Sequence, residues 1–286
     1  MVPDALKVCM HSENVFAEYR EVEQLQSSGY YGYIFHVKKD SSSFVLKILD
    51  KLSVDDKYKT LGSSVTFNDE SELHSVCQHP HILHCYHHFE SVSFACLVLE
   101  MCRGGDLKSR LVHYLTSQVV HPETQPVIAA DILLVHMGKA IDYIHTKGIV
   151  HRDVKLENMY AEKWHGSTTI CKLGDFGLAR RALRYAGCRT YCGTLEYLAP
   201  EICAAKHAVA AYGQQVDVWS LGISVYEVVT LESPYDDGDC WAQVSRGCIT
   251  IPDGIPMHMQ NLLRRMLDKD PVSRILANEL VVALSA

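Results

Sequence analysis

Long apolar runs are missing from this chain of 286 residues. No stretch of about 18 uncharged apolar residues occurs, so no membrane-spanning helix is expected. The opening residues MVPDALKVCMHSENVF hold no apolar h-region, which excludes a secretory signal peptide. A surplus of positive charge is missing too. The 27 Lys and Arg stand against 34 Asp and Glu, a net charge of -7, which disfavours non-specific binding to nucleic acid. Internal repeats and low-complexity tracts are absent. So is any regular cysteine spacing: the eleven cysteines are an odd, scattered set, as expected of reduced thiols in a cytoplasmic or nuclear protein rather than of a disulfide framework. What remains is 48% hydrophobic and 21% charged, enough for one large core or two small ones.

The most informative residues lie between positions 151 and 201. The stretch His151-Arg152-Asp153-Val154-Lys155-Leu156-Glu157-Asn158 is followed by Asp175-Phe176-Gly177 and then by Ala199-Pro200-Glu201. Each short piece is commonplace alone, but the ordered set is not. It gathers a carboxylate, a lysine and two oxygen-bearing ligand side chains. Phosphoryl transfer asks for that combination, since its catalysis is mostly positioning and charge neutralisation. The set resembles the catalytic loop, metal site and activation-segment end of the eukaryotic protein kinases. The resemblance implies that Asp153 is the catalytic base and that Lys155 reaches the γ-phosphate, a lysine at this offset marking the serine/threonine type. It also implies that Asn158 and Asp175 ligate Mg²⁺, a hard cation that takes oxygen donors. ATP and Mg²⁺ are the cofactors implied.

Residues 1–18 carry no usable pattern and are read as an N-terminal extension to a kinase domain over 19–286. From Tyr19 the chain turns β-like, with β-formers clustered in Tyr19–Leu25, Tyr33–Lys38 and Ser43–Leu49. Between the first two, Ser27-Ser28-Gly29-Tyr30-Tyr31-Gly32-Tyr33-Ile34 resembles the kinase glycine-rich loop, with Ser27 in place of its first glycine. Glycines there let backbone N–H groups approach phosphates. Gly29, Gly32, Ile34 and Val45 are the nucleotide contacts this implies. Lys47 takes the place of the strand lysine that holds the α- and β-phosphates and pairs with a glutamate on the next helix, about Asn68–Cys77. Glu70 and Glu72 compete for that role. Glu70 has the family's spacing to His79-Pro80-His81-Ile82, although it puts His74 where the family packs an apolar side chain. The segment from Cys77 to His88 is rich in metal-ligand types, yet it lacks paired spacing closed by a second cluster, and reads as a turn and a strand rather than a zinc site. Phe94–Glu100 suits a buried strand. Beyond it Glu100-Met101-Cys102-Arg103-Gly104-Gly105-Asp106 resembles the interlobe hinge. Leu99 is then the gatekeeper, backbone groups of Glu100 and Cys102 meet the adenine edge, and Asp106 reaches the ribose or a substrate arginine besides capping a helix. Tyr160 falls where the family keeps an aliphatic under the adenine ring.

Residues 126–147 show apolar positions at helical spacing (Ile128, Ile132, Val135, Ile141, Ile144) and stop at Gly148. Residues 161–169 read as a surface turn. In the activation segment Thr190 stands at the site of activating phosphorylation, with Arg152 and Arg180 placed to receive the phosphate. Thr194 is expected to bond Asp153 and Lys155, Asp217 to hold the catalytic-loop backbone, and Arg274 to pair with Glu201. Neither a regulatory tail nor a second domain is expected within the few residues that follow. Asp106, Glu157, Glu196 and Glu227 fall on the acidic positions of the cyclic-nucleotide- and calmodulin-dependent groups, which implies Ser or Thr substrates with arginine a few residues upstream. The fold implied is α+β and two-lobed, a β-rich N-lobe over 19–101 and a mainly helical C-lobe over 102–286 with ATP between them. Protein substrates and an upstream activating kinase are the partners expected, with no nucleic acid and no membrane. The alternative is a pseudokinase serving as a scaffold or allosteric partner. A small-molecule kinase of related fold is disfavoured by the Ala199-Pro200-Glu201 segment.

Overall fold

A computed structural model describes residues 4–29, 32–51, 67–116, 130–164, 168–182, 187–205, 211–236 and 238–284. The chain divides into two compact units, residues 1–78 with 83–101, and residues 79–82 with 102–286. Tyr30 and Tyr31 of the glycine-bearing turn, residues 126–129 with Ile128, and residues 165–167 of the expected surface turn lie outside the described residues.

The first unit is built on five antiparallel strands: β1 (Arg20–Gly29), β2 (Gly32–Lys39), β3 (Ser42–Asp50), β4 (Cys85–Glu90) and β5 (Phe94–Glu100). Their order is β1-β2-β3-β5-β4, so β3 is central. Alternation along a strand sends successive side chains to opposite faces. Leu46, Ile48, Cys96 and Val98 join Phe35 and Val37 in one core. Leu49, Cys85, Ala95, Leu97 and Leu99 form the other. Gly32 has φ of +118°, and a side chain there would collide with the Ile48 carbonyl, so the sheet itself demands glycine.

The residues before Tyr19 help to complete the first core. Helix α1 (Asp4–Ser12) and the turn after it bury Met10, Val15 and Phe16. The Phe16 ring meets Phe35 edge-on at 5.1 Å. Glu13 fastens this segment to the turn between β4 and β5, accepting the Ser93 backbone N–H at 2.9 Å and its hydroxyl at 2.6 Å. Hydrogen bonds from the Ser91 and Ser93 hydroxyls bring the Glu13 carboxyl down to about 2. A second helix, α2 (Phe67–Ser75), follows β3.

The second unit is mainly helical: α3 (Leu107–Thr116), α4 (Ala130–Thr146), α5 (Pro200–Ala205), α6 (Gln215–Thr230), α7 (Cys240–Arg246), α8 (Met257–Met266) and α9 (Ala277–Ala283). Two short antiparallel pairs accompany them, β6 (Ile149–Val150) with β9 (Arg180–Arg181), and β7 (Met159–Ala161) with β8 (Cys171–Leu173). Helix α6 is buried almost throughout, its apolar residues in the interior and its buried charges Asp217 and Glu227 met by partners. On α4 the buried stripe is Leu133, Leu134, Met137, Ala140, Ile141 and Ile144. The expected stripe was out of phase at its start: Ile132 and Val135 are only partly buried. Leucine and methionine, not the β-branched residues, fill the interior there. The histidines of the 79–81 turn serve packing. His81 stacks on His136 at 4.0 Å, and burial followed by the proximity of His136 lowers its pKa to about 4. Among the described residues no group of three His, Cys, Asp or Glu is set to hold a metal ion, and no helix is long and apolar enough to cross a membrane.

Candidate active site

The loop after β6 is held in an unfavourable backbone shape. Arg152 has φ of +69° and Asp175 of +58°, left-handed values that non-glycine residues adopt at a cost. Asp217, buried in the first turn of α6, accounts for the first of these. It accepts the backbone N–H groups of His151 and Arg152, each at 2.8 Å, and the His145 ring at 2.9 Å. Burial alone would raise its pKa, but the bond from His145 and the neighbouring His151 bring it below the ordinary value. His151 in turn donates through Nε2 to the Gly174 carbonyl at 3.0 Å and meets the Phe176 ring edge-on, so the loop is joined to the segment carrying Asp175. Burial lowers the His151 pKa, which favours the neutral ring.

On this frame Asp153 is bracketed from three sides. Its Oδ1 accepts the Thr194 hydroxyl at 3.0 Å. Its Oδ2 accepts Asn158 Nδ2 at 3.0 Å and pairs with Lys155 Nζ at 3.0 Å. Lys155 also donates to Thr194 Oγ1 at 2.7 Å. Gly193 brings Thr194 close: at φ of +111°, a side chain there would press on the Arg152 carbonyl at 2.8 Å. Asn158 spends its N–H groups inward, since Nδ2 also reaches the Asp153 carbonyl at 2.8 Å. That leaves its amide oxygen to act as a donor atom. Asp175 Oδ1 accepts the Gly177 N–H at 3.2 Å. An amide oxygen and a carboxylate are the donors Mg²⁺ takes, so this set fits the ion the motifs imply.

The first unit carries the other charged pair. Lys47 Nζ lies 2.6 Å from Glu70 Oε1, with side chains 5% and 3% exposed. Lys47 stands on the central strand opposite Ile34 on β2 and Leu97 on β5. A buried charge needs such a partner. Glu72 is turned to solvent. The buried His74 satisfies its Nε2 on the Leu83 carbonyl at 2.7 Å, which lets a polar residue stand at an apolar position. Val45 is in register with the buried Leu99. Gly29 pairs with Gly32 at the end of the β1–β2 hairpin, and Glu100 exchanges hydrogen bonds with His84. In the second unit Cys102 is buried, Asp106 caps α3 by accepting the Ser109 N–H at 2.7 Å, and Asp106 bridges to Tyr160 on β7.

Two groupings differ from expectation. Arg152 is buried, and among the described residues it reaches Thr190 through Tyr212. Its Nη1 donates to the Tyr212 hydroxyl at 3.3 Å, which donates to the Thr190 carbonyl at 2.6 Å, while Nε is spent on the Leu178 carbonyl at 2.6 Å. Arg180 lies on β9 opposite Val150. The four acids do not form one open patch. Asp106 and Glu157 are partly exposed and Glu196 is exposed, but Glu227 is buried. It pairs with Lys108 at 2.9 Å and with the Tyr197 hydroxyl at 2.7 Å. Burial raises the Glu157 pKa against the pull of Lys108 and Lys155. Tyr212 and Lys108 were missed in the sequence because their partners lie 60 and 119 positions away.

The second unit thus carries a carboxylate bracketed by a lysine and a hydroxyl, and the first a sheet with a buried Lys–Glu pair, each as the motifs imply. The protein kinase domain family matches residues 19–283, and the chain belongs to that family. Its members use ATP and Mg²⁺. The chain is 32% identical over 247 residues to "Probable myosin light chain kinase" of Dictyostelium discoideum, covering 84% of this chain and 47% of that protein. It is 31% identical over 279 residues to "Ribosomal protein S6 kinase alpha-4" of Mus musculus, covering 93% of this chain and 34% of that protein. It is 30% identical over 263 residues to "cAMP-dependent protein kinase catalytic subunit" of Dictyostelium discoideum, covering 90% of this chain and 37% of that protein. The chain thus spans half or less of the length of these relatives.

Proposed function

We propose that this domain transfers the γ-phosphate of ATP to Ser or Thr hydroxyls of protein substrates. The observation that carries the reading is the bracketed Asp153, with Thr194, Lys155 and Asn158 all in bonding reach. In this reading Asp153 aligns the incoming hydroxyl and accepts its proton. Thr194 fixes the rotamer of that carboxylate, and Lys155 faces the transferring group. ATP and Mg²⁺, when bound, supply the phosphoryl group and the positive charge that neutralises it; Lys47, Asn158 and Asp175 are the residues that would hold them. Glu70 orients Lys47 through the 2.6 Å contact. Gly29, Gly32, Ile34, Val45, Leu99, Glu100, Cys102, Asp106 and Tyr160 are assigned to the nucleotide. Thr190 is assigned as the regulatory site of an upstream kinase, with Arg180 and the Arg152–Tyr212 pair receiving its phosphate. Arginine upstream of the acceptor is assigned to Asp106, Glu157 and Glu196. The domain is placed at residues 19–286, in the cytoplasm or nucleus, with proteins rather than nucleic acid or membrane as partners.

Radiolabelled ATP and a Ser/Thr peptide library test this. The wild type is expected to label peptides, and Asp153→Asn to lose about 10²–10⁴-fold in rate. A wild type that binds nucleotide yet labels nothing overturns the reading and leaves a scaffold.

A further inference from the structure

Beside the catalytic loop lies an open groove of about 420 Å³, lined by Asp106, Lys108 and Glu157 and, along α3, by Ser109, Val112 and Thr116. Glu157 belongs to the turn Leu156–Asn158, directly after Lys155. A peptide whose hydroxyl meets Asp153 therefore has its neighbouring residues near this groove. The groove already contains a cation. Lys108 Nζ lies 2.9 Å from Glu227 Oε1 and 3.4 Å from the Tyr197 hydroxyl. Tyr197 donates to Glu227 Oε2 at 2.7 Å, so both carboxylate oxygens are engaged. The Glu227 side chain is 9% exposed and that of Lys108 31%, so the ammonium is the more open partner of the pair. Glu157 Oε2 is buried with no hydrogen-bond partner among the described residues.

We infer that Lys108 is a specificity-determining residue: its ammonium fills the subsite made by Glu227 and Tyr197, so that a basic residue of the substrate is not read there. The inference rests on the protein kinase reading above. Its physical basis is an exchange without gain. An incoming guanidinium would have to displace Lys108 from a largely desolvated carboxylate, trading one ion pair for another of similar strength while paying again for its own desolvation. Without the ammonium, Glu227 keeps the Tyr197 hydroxyl but loses its ion-pair partner, and a substrate cation becomes the natural counter-charge. Arginine recognition in the wild type is then limited to the acids that Lys108 leaves open.

The test compares kcat/KM for matched serine peptides that carry Arg or Ala at each upstream position in turn. The Arg/Ala ratio is the readout, because a general loss of folding or activity cancels from it. Lys108→Met keeps the aliphatic stem and removes the charge. It is expected to raise the ratio about tenfold at one position, the size of a single desolvated charge pair. Lys108→Arg should keep the wild-type profile, and adding Glu227→Gln to Lys108→Met should erase the gain. Glu227→Gln alone gives a second, independent reading: an unchanged Arg/Ala profile supports the inference. A lowered ratio in that variant, or an unchanged profile in an active Lys108→Met protein, overturns it. Failure of the wild type to phosphorylate any peptide is a separate result and strikes the kinase reading itself.

Discussion

Arg274 and Glu201 face each other through two parallel hydrogen bonds, Nη1 to Oε1 at 2.6 Å and Nη2 to Oε2 at 3.0 Å. Four of the five guanidinium N–H groups are engaged: Nη1 also reaches the Gln215 carbonyl at 2.9 Å, Nε reaches the Asp268 carbonyl at 2.9 Å, and the Trp219 ring lies 5.0 Å away. The pair fastens the end of the activation segment to the turn before α9, and the bond to Gln215 ties both to α6. Its sides are unequal, since the Arg274 side chain is 0% exposed and that of Glu201 17%. Glu201→Ala should therefore cost more than Arg274→Met, because it strands the more deeply buried charge. A loss of about 3–5 kcal/mol is expected for Glu201→Ala. Urea unfolding of both variants gives the comparison, and equal losses would refute the asymmetry.

Thr194 touches both charged partners of the loop, so its hydroxyl should be visible in kinetics rather than in stability. Thr194→Val removes one bond to a carboxylate and one from an ammonium. A drop in kcat of about 10–100-fold is expected, the equivalent of one or two charge-assisted hydrogen bonds. KM for ATP should change little, and Thr194→Ser should recover most of the rate. Steady-state kinetics on one peptide decide it.

Glu13 predicts an acid-sensitive attachment of α1. Its folded-state pKa of about 2 lies below the ordinary 4.5, owing chiefly to bonds from the Ser91 and Ser93 hydroxyls. A depressed carboxylate stabilises the fold fully above its unfolded pKa and loses that contribution as pH falls through the folded one. The difference in urea midpoint between wild type and Glu13→Gln should thus be constant above pH about 4.5 and shrink from there down to about 2. A difference that stays flat across that window would show that the bonds to Ser91 and Ser93 do not form in solution.

Thr190 offers a test of regulation. A phosphate adds about −1.5 to −2 charge to the stretch that Tyr212 ties to the buried Arg152, whose Nη2 has no hydrogen-bond partner among the described residues. Protein phosphorylated at Thr190 should be more active than phosphatase-treated protein, and Thr190→Ala should show no such difference. Tyr212→Phe should weaken the response, since Tyr212 is the contact that joins Arg152 to this stretch. Full activation of Thr190→Ala by an upstream kinase would move the regulatory site elsewhere.

Local chemistry was legible in the sequence and distant pairing was not. Asp153, Lys155 and Asn158 sit within six residues, so the motif spacing alone brings them together. The choice between Glu70 and Glu72 was only half legible: spacing to the His79–Ile82 turn favoured Glu70, while His74 at an apolar position spoke against it until its bond to the Leu83 carbonyl was seen. Lys108 against Glu227 and Tyr212 against Thr190 were illegible, since each pair joins elements far apart in the chain and neither residue belongs to a motif. The phase of α4 was misjudged from β-branched residues, while straight-chain Leu and Met fill the interior. Residues 1–18 gave no periodic signal because Met10, Val15 and Phe16 reach the core from a short helix and an irregular turn.

That last segment bears on how the domain can be handled in the laboratory. A fragment trimmed to begin at Tyr19, where the family match starts, would shed three apolar plugs and bare Phe35 and Val37 to water. Such a fragment should be sticky and short-lived in solution even with every catalytic residue in place, and loss of activity on trimming would then report a breached core rather than a missing functional element.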